Sequence, residues 1–188
     1  TRWSPDTGIY DPLFVVQAAA AATSTLRFVT GVLILPERPA LLTAKEVLSL
    51  DHATGGRFEL GVGSGWSWEE YAALGVPFEQ RGKRMDEYIE AIRVAWTQDR
   101  ATYHGEFVNF DEVVLNPKPL TPGGPPIIIG GDSVAAMRRA ARLGDGIRVT
   151  AKGRQVRIQI HREARTVQQQ MPDRHLLATL AGELRQML

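Results

Sequence analysis

The chain has 188 residues, 44% of them apolar and 23% charged, with 22 lysines and arginines against 21 aspartates and glutamates. This is the composition of a soluble globular chain long enough for one full core, and it excludes disorder as the default state. There is no cysteine, which excludes disulfides, thiolate metal sites and a cysteine nucleophile, and fits a reducing, cytoplasmic setting.

No apolar run approaches the length of a membrane span, and the opening TRWSPDTGIYDP has neither the basic start nor the apolar middle of a signal peptide. An initiator methionine is also missing, so a fragment is one expectation. Charge is unevenly spread: residues 1–150 hold 15 basic and 18 acidic side chains, residues 151–188 hold 7 and 3. The basic tail raises nucleic acid as a partner. However, Arg154, Arg157, Arg162 and Arg165 come without aromatic residues on which bases could stack, so a solvated surface is favoured.

Asp11-Pro12 is a helix start, an N-cap followed by proline at the first helical position, and residues 13–22 continue with strong helix formers. Its almost wholly apolar or alanine surface predicts a buried helix. Residues 26–35, LRFVTGVLIL, read as a strand buried on both faces of a parallel sheet, with Gly31 marking either a bulge or close backbone approach, or else plain packing against a helix. A helix over residues 40–53 then stops at Gly55-Gly56.

Residues 57–66, RFELGVGSGW, are the centre of the chain: a buried strand that delivers a flexible glycine loop. Gly63 and Gly65 let backbone approach a ligand, although tight packing against a helix accounts for the same residues. A dinucleotide fingerprint fails because Trp66 stands where a third glycine is needed, and a P-loop fails for want of Gly-Lys-Ser/Thr. Residues 67–74 suit a short helix. Residues 83–96 form the clearest amphipathic pattern, with Met85, Tyr88, Ile89, Ile92 and Trp96 on one face.

Residues 101–125 interrupt the alternation with a hairpin or excursion and a proline-rich connection. His104 there reads as a loop residue, and no metal site is expected. Residues 126–129 are another buried strand, emptying into Gly130-Gly131-Asp132-Ser133 before a helix over residues 134–143. That junction is the best anion site in the sequence, although N-capping explains it equally well. Residues 146–149 are the next strand. The helix and strand order predicts parallel strands joined by right-handed crossovers.

The segments LRFVTGVLILPERP, LDHATGGRFELGVGSGWSWEEYAALGVPFEQRGKRMDEYIEAIRVAW and PPIIIGGDSVAAMRRAARLGDGI, in this order, resemble the bacterial luciferase-like monooxygenase family, with the closer likeness to its coenzyme F420-dependent oxidoreductases. The resemblance implies an α/β fold of the TIM (β/α)8-barrel type, with its site at the carboxyl ends of the strands. It also implies that Gly31 and Val32 form a strand bulge, often a non-proline cis peptide, supporting the ring of F420 or, alternatively, FMN. Gly63, Ser64 and Gly65 match the loop lining that cofactor, and Gly130, Gly131, Asp132 and Ser133 match its phosphate end. Glu69 and Arg81 read as a structural pair joined by an ion pair.

Only about four barrel strands are recognisable, so an open half-barrel is expected over residues 1–150, with apolar edges that favour a homo-oligomer. The residues that touch substrate in such a barrel would precede Thr1, which leaves the catalytic residues unassigned. Residues 151–188 depart from the family and suggest non-native tail sequence, with QVRIQIHRE a makeshift strand. The expected function is hydride transfer to, or monooxygenation of, a small organic substrate. The alternatives are an FMN-dependent monooxygenase or a non-catalytic, cofactor-binding or self-associating remnant.

Overall fold

The computed structural model describes residues 8–151 and 154–159. Its centre is β3 (Phe58–Gly63), in which every residue is buried. On one side β3 pairs in parallel with β1 (Phe28–Val29) and β2 (Leu33–Ile34), on the other with β6 (Ile127–Gly130), and β6 pairs in parallel with β7 (Gly146–Ala151). Counting β1 and β2 as one interrupted strand, four parallel strands make up the half-barrel.

Residues 26–35 are therefore not one continuous strand. Phe28 and Val29 face Phe58 and Glu59, whereas Leu33 and Ile34 face Val62 and Gly63. Four steps on one strand match three on the other, so one extra residue is accommodated at Thr30-Gly31-Val32, and this is a β-bulge. Of the explanations open for Gly31, the bulge is the one observed.

The strand alternation separates the two faces of the sheet. Phe58, Leu60 and Val62, with Ile127, Ile129, Ile147 and Val149, belong to the core. That core lies under α2 (Ala40–Thr54), α4 (Arg81–Thr97) and α5 (Val134–Leu143). Glu59, Gly61, Gly63, Gly130 and Arg148 alternate with these residues and lie on the opposite, concave face. The curvature of that face is visible in one contact: Arg157 of β8 (Arg154–Gln159) stands 2.6 Å from Glu59 of β3, although β6 and β7 lie between the two strands in the sheet.

β8 is the makeshift strand expected in the tail. It runs antiparallel to β7, with Ile147 opposite Ile158 and Arg148 opposite Arg157, and so occupies the edge on which a barrel would add a parallel strand. The rest of the basic tail, residues 160–188, lies outside the described residues.

Helix α1 (Pro12–Ala21) begins as its sequence dictates, with the Asp11 carboxylate accepting from the Leu13 amide at 2.9 Å. It is not the buried helix expected. Only Leu13, Val16 and Ala20 are buried, while Phe14 is 78% exposed and Val15 half exposed. An apolar surface predicts burial only where neighbours exist to cover it, and α1 packs on α2 along one side.

Asp11 also accepts from Arg38 at 2.8 Å. Burial works against its charge, but the Arg38 hydrogen bond and the backbone amides outweigh it and hold the carboxyl below its ordinary value of 3.8. The stability this provides is complete above the unfolded pKa and is lost as pH falls through the lower folded one. Asp11→Asn keeps an equally good cap and removes the titration. Urea midpoints measured from pH 6 down to pH 2 should therefore fall less steeply for Asp11→Asn than for the parent chain, and parallel curves would refute this account.

Outside the repeating units, β4 (Ala101–His104) and β5 (Asn109–Val113) form the antiparallel hairpin. Glu87 of α4 holds its turn by accepting from the amides of Glu106, Phe107 and Val108 at 3.0, 2.7 and 2.7 Å. His104 is exposed and lies 3.0 Å from Asp111 across the hairpin. No group of three potential metal ligands occurs among the described residues.

Candidate functional site

The carboxyl ends of β2, β3 and β6 open into one cleft of about 920 Å³. Gly31, Val32, Gly63, Ser64, Gly65, Gly130, Gly131, Asp132 and Ser133 all line it. The parallel strands bring these three segments together because they run in one direction and so end on one rim. Its size is that of a pocket for a cofactor-sized molecule.

The floor is an interlocked set. The Gly31–Val32 peptide is cis. The Val32 side chain occupies the space that a Cβ would need at two glycines, 2.7 Å from the Gly63 position and 2.4 Å from the Gly130 position. The bulge itself rests on Gly61, where a Cβ would stand 1.8 Å from the Thr30 carbonyl oxygen. Neither Gly61 nor Gly63 is therefore a glycine because of a helix: both make room for the bulge and for Val32.

The loop after β3 is fixed from below. Gly65 has φ +68°, and a Cβ there would meet Ile34 at 2.9 Å. Tyr71 of α3 (Trp68–Ala73) donates its hydroxyl to the Ser64 carbonyl at 2.6 Å. Burial, reinforced by the charge of Glu37, pushes that phenol up to about 12, so it remains a donor through the neutral range.

At the other end of the cleft Ser133 caps α5, its hydroxyl accepting from the Ala136 amide at 3.1 Å. Gly131 has φ +129°, which only glycine adopts readily, and a Cβ there would come within 3.1 Å of Ala136. Ser133 is thus an N-cap, and the helix start that it caps opens on the cleft.

Several lining residues were not singled out in the sequence: Trp66, Glu79, Arg139 and Arg148. Arg148 carried a usable signal, since it is a charge between Ile147 and Val149 in an otherwise apolar strand, on the face that alternation turns away from the core. Arg139 carried none, because a polar position on a surface helix looks the same wherever it points. It is tied to Asp86 and to the Gly82 carbonyl.

Arg81 lines the cleft too, but its expected ion pair with Glu69 is not formed. Arg81 donates to the Phe78 carbonyl at 2.9 Å and lies over the Phe78 ring, 3.7 Å from its centroid. Glu69 instead accepts from the Ser67 hydroxyl at 3.0 Å. Each has a nearer partner in its own short segment.

Residues 1–175 match the model of the luciferase-like monooxygenases. The chain belongs to this family. It is 38% identical over 139 residues to an FMNH2-dependent dimethylsulfone monooxygenase of Pseudomonas putida, covering 72% of this chain and 38% of that protein. Among solved structures it resembles the monooxygenase RslO1 of Streptomyces bottropensis, at 30% identity and a TM-score of 0.68 over 73% of this chain and 42% of the other. The coenzyme F420-dependent tetrahydromethanopterin reductase of Methanopyrus kandleri shares the fold, at 22% identity and a TM-score of 0.66 over 76% and 45%. This luciferase-like chain thus spans less than half the length of these relatives. Its parallel sheet corresponds to part of their TIM-type barrel, and among the described residues no helix is long and apolar enough to cross a membrane.

Proposed function

We propose that this luciferase-like chain forms the cofactor-holding part of an oxidoreductase that uses a reduced ring cofactor, coenzyme F420 in the first reading, to act on a small organic substrate. The observation that carries the reading is the convergence of three separate glycine-bearing segments on one cleft floored by the Thr30-Gly31-Val32 bulge. The cleft fits such a cofactor: it has an apolar wall at Val32 and Ile34 for the ring, and a glycine-rich rim leading to the N-terminus of α5 for a phosphate.

When bound, the cofactor would supply the hydride or the oxygen chemistry, and the protein would supply position and electrostatics. Val32 would form the seat of the ring. Tyr71, through the Ser64 carbonyl, would hold the loop that lines it. Gly130, Gly131 and Ser133 would receive the phosphate end, with Arg139 on the same wall.

FMN is the second reading, favoured by the 38% identity to a relative named as FMNH2-dependent. Fluorescence titration of the purified chain with F420 and, separately, with FMN tests both. Saturable binding of F420 alone supports the first reading and of FMN alone the second. Binding of neither overturns the proposal and leaves the non-catalytic alternative.

A further inference from the structure

Arg148 brings a guanidinium to the concave face and to the lining of the cleft. Arg148 sits on β7, and its backbone is fixed on both sides: in register with Gly130 of β6, with its carbonyl accepting from the Gly131 amide at 3.1 Å, and opposite Arg157 of β8. Its guanidinium reaches to the bulge. The Nη1 atom lies 3.5 Å from where a Cβ of Gly31 would stand. Arg148 and Gly31 line the cleft together.

We propose that Arg148 is a cofactor-contacting residue that binds the pyrimidinedione edge of the ring and favours its reduced, anionic form. This rests on the ring-cofactor reading above and adds the orientation of the ring within it. Flavin and deazaflavin rings share a pyrimidinedione edge bearing two carbonyl oxygens, whereas the opposite, benzenoid edge has no such pair of acceptors. A planar guanidinium presents forked donors that suit the acceptors of the first edge better than the second, which offers no such set. Addition of a hydride from a reduced donor to the oxidised ring adds one negative charge, which conjugation places on N1 and the C2 carbonyl. A cation held at that edge by a rigid strand interacts more strongly with the reduced ring than with the oxidised one, and the effect is larger where water is partly excluded.

The test is a comparison of the parent chain with Arg148→Met and Arg148→Lys. Dissociation constants are measured anaerobically for F420 and for FMN, each in its oxidised and its chemically reduced form, alongside a urea unfolding curve for each protein. For whichever cofactor binds, Arg148→Met should weaken the reduced form about tenfold and leave the oxidised form within about twofold. A tenfold change in that ratio corresponds to a potential of the bound two-electron couple about 30 mV more negative. Arg148→Lys, which keeps the charge but not the fork, should recover part of the loss.

Equal weakening of both forms, or no change in either, in a variant with the parent's urea midpoint would overturn the assignment of Arg148 and leave the ring-cofactor reading standing. If Arg148→Met fails to fold, a Lys variant with an unaltered ratio of the two constants overturns the assignment of the guanidinium fork. Failure of the parent chain to bind any form removes the ring-cofactor reading and this inference with it.

Discussion

Gly61→Ala is expected to destabilise the chain by at least about 3 kcal/mol, the upper end of what one added methyl does in a packed interior. The added Cβ would lie 1.8 Å from the Thr30 carbonyl oxygen, 2.9 Å from its carbon and 3.3 Å from a Val29 methyl. Two of these atoms are backbone, so no rotamer change relieves the overlap. β1 cannot withdraw without losing its pairing to Phe58 and Glu59, nor β2 without losing Val62 and Gly63. The Thr30 hydroxyl also draws the strands together, donating to the Gly61 carbonyl at 2.6 Å.

Thr30→Val provides the comparison. It removes that buried hydrogen bond at nearly constant volume and should cost only about 1–2 kcal/mol. Urea unfolding followed by tryptophan fluorescence measures both. A Gly61→Ala midpoint equal to that of the parent would mean that the bulge does not rest on Gly61.

Gly130→Ala is expected to cost about 1–3 kcal/mol and, under the ring-cofactor proposal, to weaken cofactor binding at least tenfold. Its Cβ would stand 2.4 Å from one Val32 methyl, and Val32 cannot move toward β3, because its other methyl already fills the Cβ position of Gly63 at 2.7 Å. Val32→Ala removes both methyls. The double variant Val32→Ala/Gly130→Ala should therefore be more stable than the sum of the single effects implies, by about 1 kcal/mol or more. Strict additivity would show that the two positions do not share this space. Cofactor affinity should not recover with stability in the double variant, because the Val32 seat is gone; full recovery would remove Val32 from the proposed site.

Much of the chain was legible because its signals are local. Asp11-Pro12 starts α1, and Gly55 ends α2 in the left-handed conformation that only glycine adopts cheaply. The apolar face of α4 is the one its spacing predicts. The nine residues named for the site fall on one cleft because parallel strands in a barrel-type sheet all end on one rim.

What failed depended on neighbours. α1 looks buried by composition, yet burial is decided by what packs on each side. Glu69 and Arg81 have compatible charges, but each finds a partner closer in sequence.

The sequence by itself determined the family, the order of helices and strands, and the segments that carry the cleft. The elements follow from periodicity, capping and turn residues, and the family from the resemblance of three successive segments of the chain. Only the tertiary structure decided why Gly61, Gly63 and Gly130 lack side chains, and that Arg148 points to the bulge. Those facts concern atoms on different strands, separated by about thirty to more than one hundred residues, and they exist only once the register across the sheet is set. The same holds for β8: its alternation allowed a strand, but the free edge of β7 and the buried Glu59 gave it a place.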